Sequence, residues 1–343
     1  MPIYGIVASE VRITSTVIAP KYIAVGVDNT FTNPIIMTTP TGTTWTARSS
    51  ITNAILNGIA TNGSRWVAVG SNNFETNPVI ITSDDGGVTW TQRTADPTTA
   101  AVLYSVCWTG TKFIAVGADN INTNPKMMTS SDGTTWTAKT PAPSTAAIFE
   151  GVDGIAGLAI AVGMNPATQD PRFMTSADDG NTWTQRTPAA PTTDVEFLGV
   201  SCTASVNVAV GRDQSGNTTT INSSPTGTTW TARTGDTATG IDLFDVAWNG
   251  SLFVAVGRDF TSAIDPKIMT SPDGTTWTAR TPSPTTSANL EGIASSGGAF
   301  IAVGHDDSIT NPIIMYSADG LTWAVRTPNP TTNAILYDVA AIP

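Results

Sequence analysis

Few residues in this 343-residue chain are equipped for chemistry. His305 is the only histidine and Cys107 and Cys202 are the only cysteines. Catalytic systems or metal clusters that need several imidazoles are therefore excluded. Carboxylates are more plentiful, and Glu150, Asp245, Glu291 and Asp338 lie in runs that read as strands. Two carboxylates held about 5 to 10 Å apart could cleave a glycosidic bond. A second constellation joins cations to acids in adjacent pairs: Arg212-Asp213, Arg258-Asp259 and His305-Asp306. Such a cluster could hold an anionic glycan or an acidic protein surface, with a marked dependence on salt.

What positions these residues is a repeat. Tryptophan returns at Trp45, Trp90, Trp136, Trp183, Trp230, Trp277 and Trp323, and the text around it returns too. One unit of about 47 residues has been copied around the molecule. The copy from Leu243 holds four β-type runs, LFDVAW, FVAVG, KIMTS and TWTAR, separated by turn residues such as Asn249-Gly250 and Asp273-Gly274. Four hairpin-linked strands make a sheet that must stack on its neighbours to bury its faces. The expected fold is an all-β, seven-bladed propeller of four-stranded antiparallel blades. Inner-strand runs reach Ile59, Val106, Val152, Val200, Val246, Ile293 and Val339. The last follows the final Trp and has no blade of its own, so it is expected to pair with Tyr22 to Gly26, a 3+1 closure. Residues 21–343 then form the propeller, and residues 1–20 are left as an N-terminal arm or added strand.

Within this frame the three cation pairs share one position. Each AVG run is followed, two residues after its Gly, by an Asp or Asn that suits a turn cap. The residue between varies: Val27, Ser71, Ala118, Met164, Arg212, Arg258 and His305. Blades five to seven thus carry an asymmetric polar cluster on the face where the post-AVG loops and the blade-to-blade crossovers open. The inner-strand acids read instead as solvated channel residues.

The turn before each Trp carries a family resemblance. SDDGGVTW (Ser83 to Trp90) and SADDGNTW (Ser176 to Trp183) fit Ser-x-Asp-x-Gly-x-Thr-Trp, and SSDGTTW, SPDGTTW and SADGLTW are one residue shorter. This resembles the Asp-box, or BNR-like, propellers, which include sialidases, other glycosidases, lectin-like proteins and the photosystem II assembly factors. By that resemblance Asp85, Asp132, Asp178, Asp273 and Asp319 are structural Asp-box residues, with Thr41 and Thr226 replacing the acid in blades one and five. A sialidase-like site would need converging arginines and an Arg-Ile-Pro segment; here Arg12-Ile13 is followed by Thr14. The basic residue three positions after each Trp (Arg48, Arg93, Lys139, Arg186, Arg233, Arg280, Arg326) is expected to cover the blade edge and pair locally.

Composition bounds the setting. A net charge of -11 argues against nucleic acid as a partner, and charged residues are only 13% of the chain. The polar surface is built from Thr, Ser and Asn. No apolar run is long enough for a membrane span. The segment MPIYGIVASEVRI lacks the basic and apolar regions of a secretory signal. Cys107 and Cys202 fall on non-adjacent blades and read as small buried residues. The expectation is a non-enzymatic propeller without metal or cofactor, at a virion surface or extracellular, contacting host glycan or neighbouring subunits. A lectin with repeated sugar sites and an assembly factor are the alternatives.

Overall fold

The computed structural model describes residues 21–48, 51–95, 100–141, 146–188, 194–214, 219–235, 240–261, 264–281, 287–326, 328–329 and 333–342. The expected arm, residues 1–20, lies outside them. Seven antiparallel sheets form seven blades. Blade two shows the unit: an inner strand Ala54–Thr61, a second strand Trp66–Asn72, a third Pro78–Ser83 and a short outer strand Thr91–Arg93. Blade one is closed by the C-terminal strand Ala334–Ala341, which lies antiparallel on Tyr22–Asp28. The 3+1 closure expected from the strand count is present. Blade one also has a fifth strand the repeat did not announce: Pro328–Asn329 runs parallel to the outer strand Trp45–Arg48.

Inner strands run past the positions where the sequence placed their ends, to Thr61, Trp108, Ile155, Ser201, Trp248, Ser296 and Ala341. Each is broken by a bulge opposite the AVG run, as between Leu56 and Gly58 in blade two. The bulge lays a backbone carbonyl over the AVG glycine. A Cβ on Gly70 would fall on the carbonyl oxygen of Ile55, and one on Gly211 on that of Glu196. Glycine is therefore fixed there by close approach, without needing a positive φ.

Each repeated Trp packs against the preceding blade. Trp183 joins Ile114 and Val116 of blade three, and Trp323 joins Val254 and Ile268 of blade six. In five blades its indole N–H donates to the carbonyl of the turn glycine three residues back, at 3.1 Å for Trp183 and 3.0 Å for Trp136; the indole N–H groups of Trp45 and Trp277 are buried without a partner. The glycine itself has φ +79° at Gly180, where a Cβ would stand 2.8 Å from Ile114 Cδ1. The constant polar element of the turn is a hydroxyl, not the acid. Thr39, Ser83, Ser130, Ser176, Ser224, Ser271 and Ser317 each accept the glycine amide, at 2.8 to 3.0 Å. Where Asp is present it accepts further amides: Asp319 takes those of Leu321 and Thr322, both at 2.8 Å. In blades one and five the threonine pairs Thr41–Thr43 and Thr226–Thr228 bond at 2.6 Å instead. Truncating a buried Trp costs about 3 to 5 kcal/mol, whereas one surface turn bond is worth about 1. The Trp thus persists where the acid does not.

Five of the edge cations pair locally with hydroxyls, whereas Arg326 lies over the Tyr316 ring at 5.2 Å with its Nε unpartnered. Arg93 Nε donates to Thr82 Oγ1, Arg186 to Thr175 and Arg280 to Thr270, at 2.8 to 2.9 Å.

Candidate functional site at the channel mouth and loop face

Inner strands begin, and second strands end, at the same end of the ring, so the channel mouth and the post-AVG loops share one face. Arg212 lies opposite Glu196, Arg258 opposite Asp242 and His305 opposite Asn289. The acid that meets each arginine is this cross-strand partner, not its sequence neighbour. Arg212 Nη2 lies 2.6 Å from Glu196 Oε2, and Arg258 Nη2 lies 2.8 Å from Asp242 Oδ2, each supported by an Nε hydrogen bond to the same oxygen. An anion here would have to compete with a carboxylate already in place. His305 is only 7% exposed, with Nε2 3.3 Å from Glu291 Oε1. Burial lowers its pKa, but Glu291 and the Asp306 carbonyl outweigh that and raise it.

The sequence-adjacent acids serve the loops. Asp306 accepts the amides of Thr310 and Asn311; burial opposes its ionisation, yet these bonds hold its carboxyl at about 2. Asp259 accepts from Thr261 and lies 3.7 Å from Lys267 Nζ. Asp213 ends the second strand of blade five, opposite Val195 at the open end of that hairpin.

The channel is a cavity of about 390 Å³ lined by inner strands of all seven blades. Its acids are not freely solvated as the sequence suggested. Asp245 accepts the Ile293 amide of the next blade at 2.9 Å and the Val246 amide at 2.8 Å. Asp338 likewise accepts Ile59 at 2.8 Å and Val339 at 2.7 Å. Asp153, not among the acids expected from the sequence, accepts the Cys202 amide of the next blade at 2.7 Å. These carboxylates tie neighbouring blades together. Burial raises Asp245 and Asp338, and mutual repulsion adds to it at Asp245; burial also pushes Asp153 up to about 6. Cys107 and Cys202 are buried free thiols. Among the described residues, no group of three or more His, Cys, Asp or Glu side chains is placed to hold a metal ion.

The bulges present seven residues at the mouth: Asn57, Tyr104, Glu150, Leu198, Phe244, Glu291 and Tyr337. Unlike the rest of the repeat, this ring is varied: two acids, three aromatics, one aliphatic and one amide. Among the described residues nothing donates a hydrogen bond to the Glu150 carboxylate. Burial, with Glu196 nearby, pushes it up to about 8. Aromatic side chains link the mouth to the loops. The Arg258 guanidinium lies 5.4 Å from the rings of both Phe244 and the loop residue Phe260. Tyr104 donates to Asn122 of its own blade's loop at 3.1 Å.

The loop face also carries exposed apolar side chains. Of the seven large hydrophobic residues most exposed among those described, Phe31, Phe74, Ile121, Phe260 and Ile309 sit in or beside post-AVG loops; only Val88 and Leu321 lie at the opposite end. Phe74 is 77% and Ile121 69% exposed. Their blades, six, seven, one, two and three, are consecutive, so they form a crescent. Phe31 and Ile309 hold φ +55°, the left-handed region, where blade three has Asn122. For a β-branched residue that conformation costs roughly 1 to 3 kcal/mol. The turn does not require apolar side chains at that position, since blades two and three make it with Glu75 and Asn122. In the sequence the crescent is masked because its members follow the Asx caps at different offsets, one residue on at Phe260, two at Phe74 and Ile121 and three at Phe31 and Ile309.

No protein-family model matches the sequence, and no curated protein does either. Solved structures match the fold. "YCF48 bound to D1 peptide" aligns with TM-score 0.56 and 18% identity over 80% of this chain and 82% of that one. A protein provisionally assigned as a 6-phosphogluconolactonase from Bacteroides uniformis aligns with TM-score 0.62 and 11% identity, covering 93% and 98%. Both define the class as a β-propeller. At these identities the likeness is one of fold.

Proposed function

We propose that this ring is a non-enzymatic binding propeller that engages a segment of a partner protein on its loop face, as part of a larger assembly. The observation that carries this reading is the crescent of exposed apolar side chains on five consecutive blades of one face. Apolar patches of this kind mark interaction sites, and two of their members occupy backbone positions that favour other residues. The peptide-bound YCF48 structure supports it as an instance of a peptide held by a similar fold. Catalysis is disfavoured because both oxygens of Asp245 and of Asp338 are engaged by backbone amides. A virion-surface setting remains a proposal resting on composition, and the loop face suits an assembly factor equally well.

The test pairs a displayed peptide library with a glycan array. The full chain should enrich peptides rich in Phe, Leu or Ile. The variant Phe31→Ser/Phe74→Ser/Ile121→Ser/Ile309→Ser should lose that enrichment at least tenfold while keeping its Tm within a few degrees. Binding to glycans with no peptide enriched would establish the lectin alternative instead.

A further inference from the structure

We infer that the channel mouth is a cation slot, which selects partner segments that place a lysine or arginine side chain between Glu150 and Glu291 while apolar neighbours rest on the crescent. This deepens the protein-binding reading above and rests on it. The mouth has the two components that recognise an alkylammonium or guanidinium group: carboxylates, and aromatic faces supplied by Tyr104, Phe244 and Tyr337. The aromatics stand beside the acids. Glu150 perturbs Tyr104 electrostatically and Glu291 perturbs Tyr337, which burial, chiefly, pushes up to about 12.

The molecule already shows this pairing once. Arg258 lies against the Phe244 ring with its charge on Asp242. Glu196 and Asp242 are thus taken by the chain's own arginines, and Glu291 is shared with His305. Glu150 accepts no hydrogen bond among the described residues. Arg212 attracts Glu150 but is itself bonded to Glu196, so among the described residues this carboxylate, lining the mouth beside aromatic groups, has no ion pair of its own and favours either a proton or an incoming cation.

Slot and crescent are continuous. The Arg258 stack on Phe244 and Phe260 joins them in blade six, and the Tyr104–Asn122 bond joins them beside Ile121 in blade three. A segment with an apolar stretch and one basic residue can occupy both at once. The same acids disfavour an anionic lipid surface, the other occupant an exposed apolar crescent might suggest.

The experiment uses the full chain and a matched series of 15-residue peptides of Phe, Leu, Ser and Gly with one central Lys, Arg, Gln or Glu, measured by fluorescence anisotropy. Lys and Arg peptides should bind at least tenfold tighter than the Gln peptide, and the Glu peptide more weakly still. Glu150→Gln/Glu291→Gln should erase the Lys preference and leave the affinity for the Gln peptide unchanged. Equal affinity for Lys and Gln peptides, still lost in the crescent variant, overturns the slot while the protein-binding reading survives. No binding by any peptide overturns both. Recruitment to phosphatidylcholine/phosphatidylserine vesicles that is lost in the crescent variant would replace the protein partner with a membrane.

Discussion

Asp245 and Asp178 are both aspartates that accept backbone amides, yet their surroundings drive their protons in opposite directions. At Asp178 burial is outweighed by bonds from Thr182 and Ser176, and its carboxyl is held at about 2. At Asp245 the channel wall and Asp338 win, and the pKa rises. The sign of each contribution follows. A turn aspartate with a depressed pKa supplies stability above about pH 4, the unfolded value, that is lost as pH falls through about 2. A channel carboxyl with a raised pKa binds its proton more tightly in the ring. Its stabilisation is complete below about pH 4 and lost as pH rises through about 6 at Asp153 and about 8 at Glu150. Tm should therefore be higher at pH 5 than at pH 8, and fall below pH 4. Asp245→Asn/Asp338→Asn keeps an oxygen for the Ile293 and Ile59 amides and removes the charge. Thermal scans from pH 4 to 8 should show a flatter slope with no loss of stability at pH 8. A drop in Tm confined to the upper end of that range, where the carboxyls are ionised, would show that the charges themselves are needed. The sequence singled out Asp245 and Asp338 but not their environment, because the amides they accept come from the next blade. Asp153 escaped because it stands two residues beyond the position of the other two, where blade four has Gly151.

At the level of the strand, the AVG glycines were legible as a marker but not as a mechanism. Their number and spacing in the sequence predict the blades, and the structure places one in every second strand. What holds them as glycine is the inner-strand bulge, and a bulge leaves almost no trace in the strand that contains it. Its seven residues, from Asn57 to Tyr337, share no chemical type. They were therefore invisible as a set, although they build the mouth. Gly70→Ala would drive a methyl into the Ile55 carbonyl and should destabilise by about 3 kcal/mol or more. Gly63→Ala, at φ +91° with nothing within 4 Å, should cost only about 1 kcal/mol. Urea unfolding of both variants checks this, and a Gly70→Ala protein as stable as Gly63→Ala would contradict the bulge explanation.

Across the whole ring, the sequence yields what is repeated, and function resides in what is not. Closure by Ala334–Ala341 was readable because an unpaired inner strand remained after seven Trp repeats. The rim arginines were readable as an exception to the repeat, but their partners Glu196 and Asp242 lie 16 residues away and become neighbours only across a hairpin. The crescent was harder still, since each member is unremarkable within its own loop and the five become one patch only when the ring closes. The central claim is that binding occurs on the loop face. A fluorophore on Asn120→Cys, exposed beside Ile121, reports that face, and one on Leu321→Cys reports the opposite end; the native thiols are buried and leave the labels selective. Titrating the Lys peptide should change emission saturably at position 120 and leave position 321 unaffected. A saturable change at 321 with none at 120 would place binding on the wrong end of the ring and contradict the account.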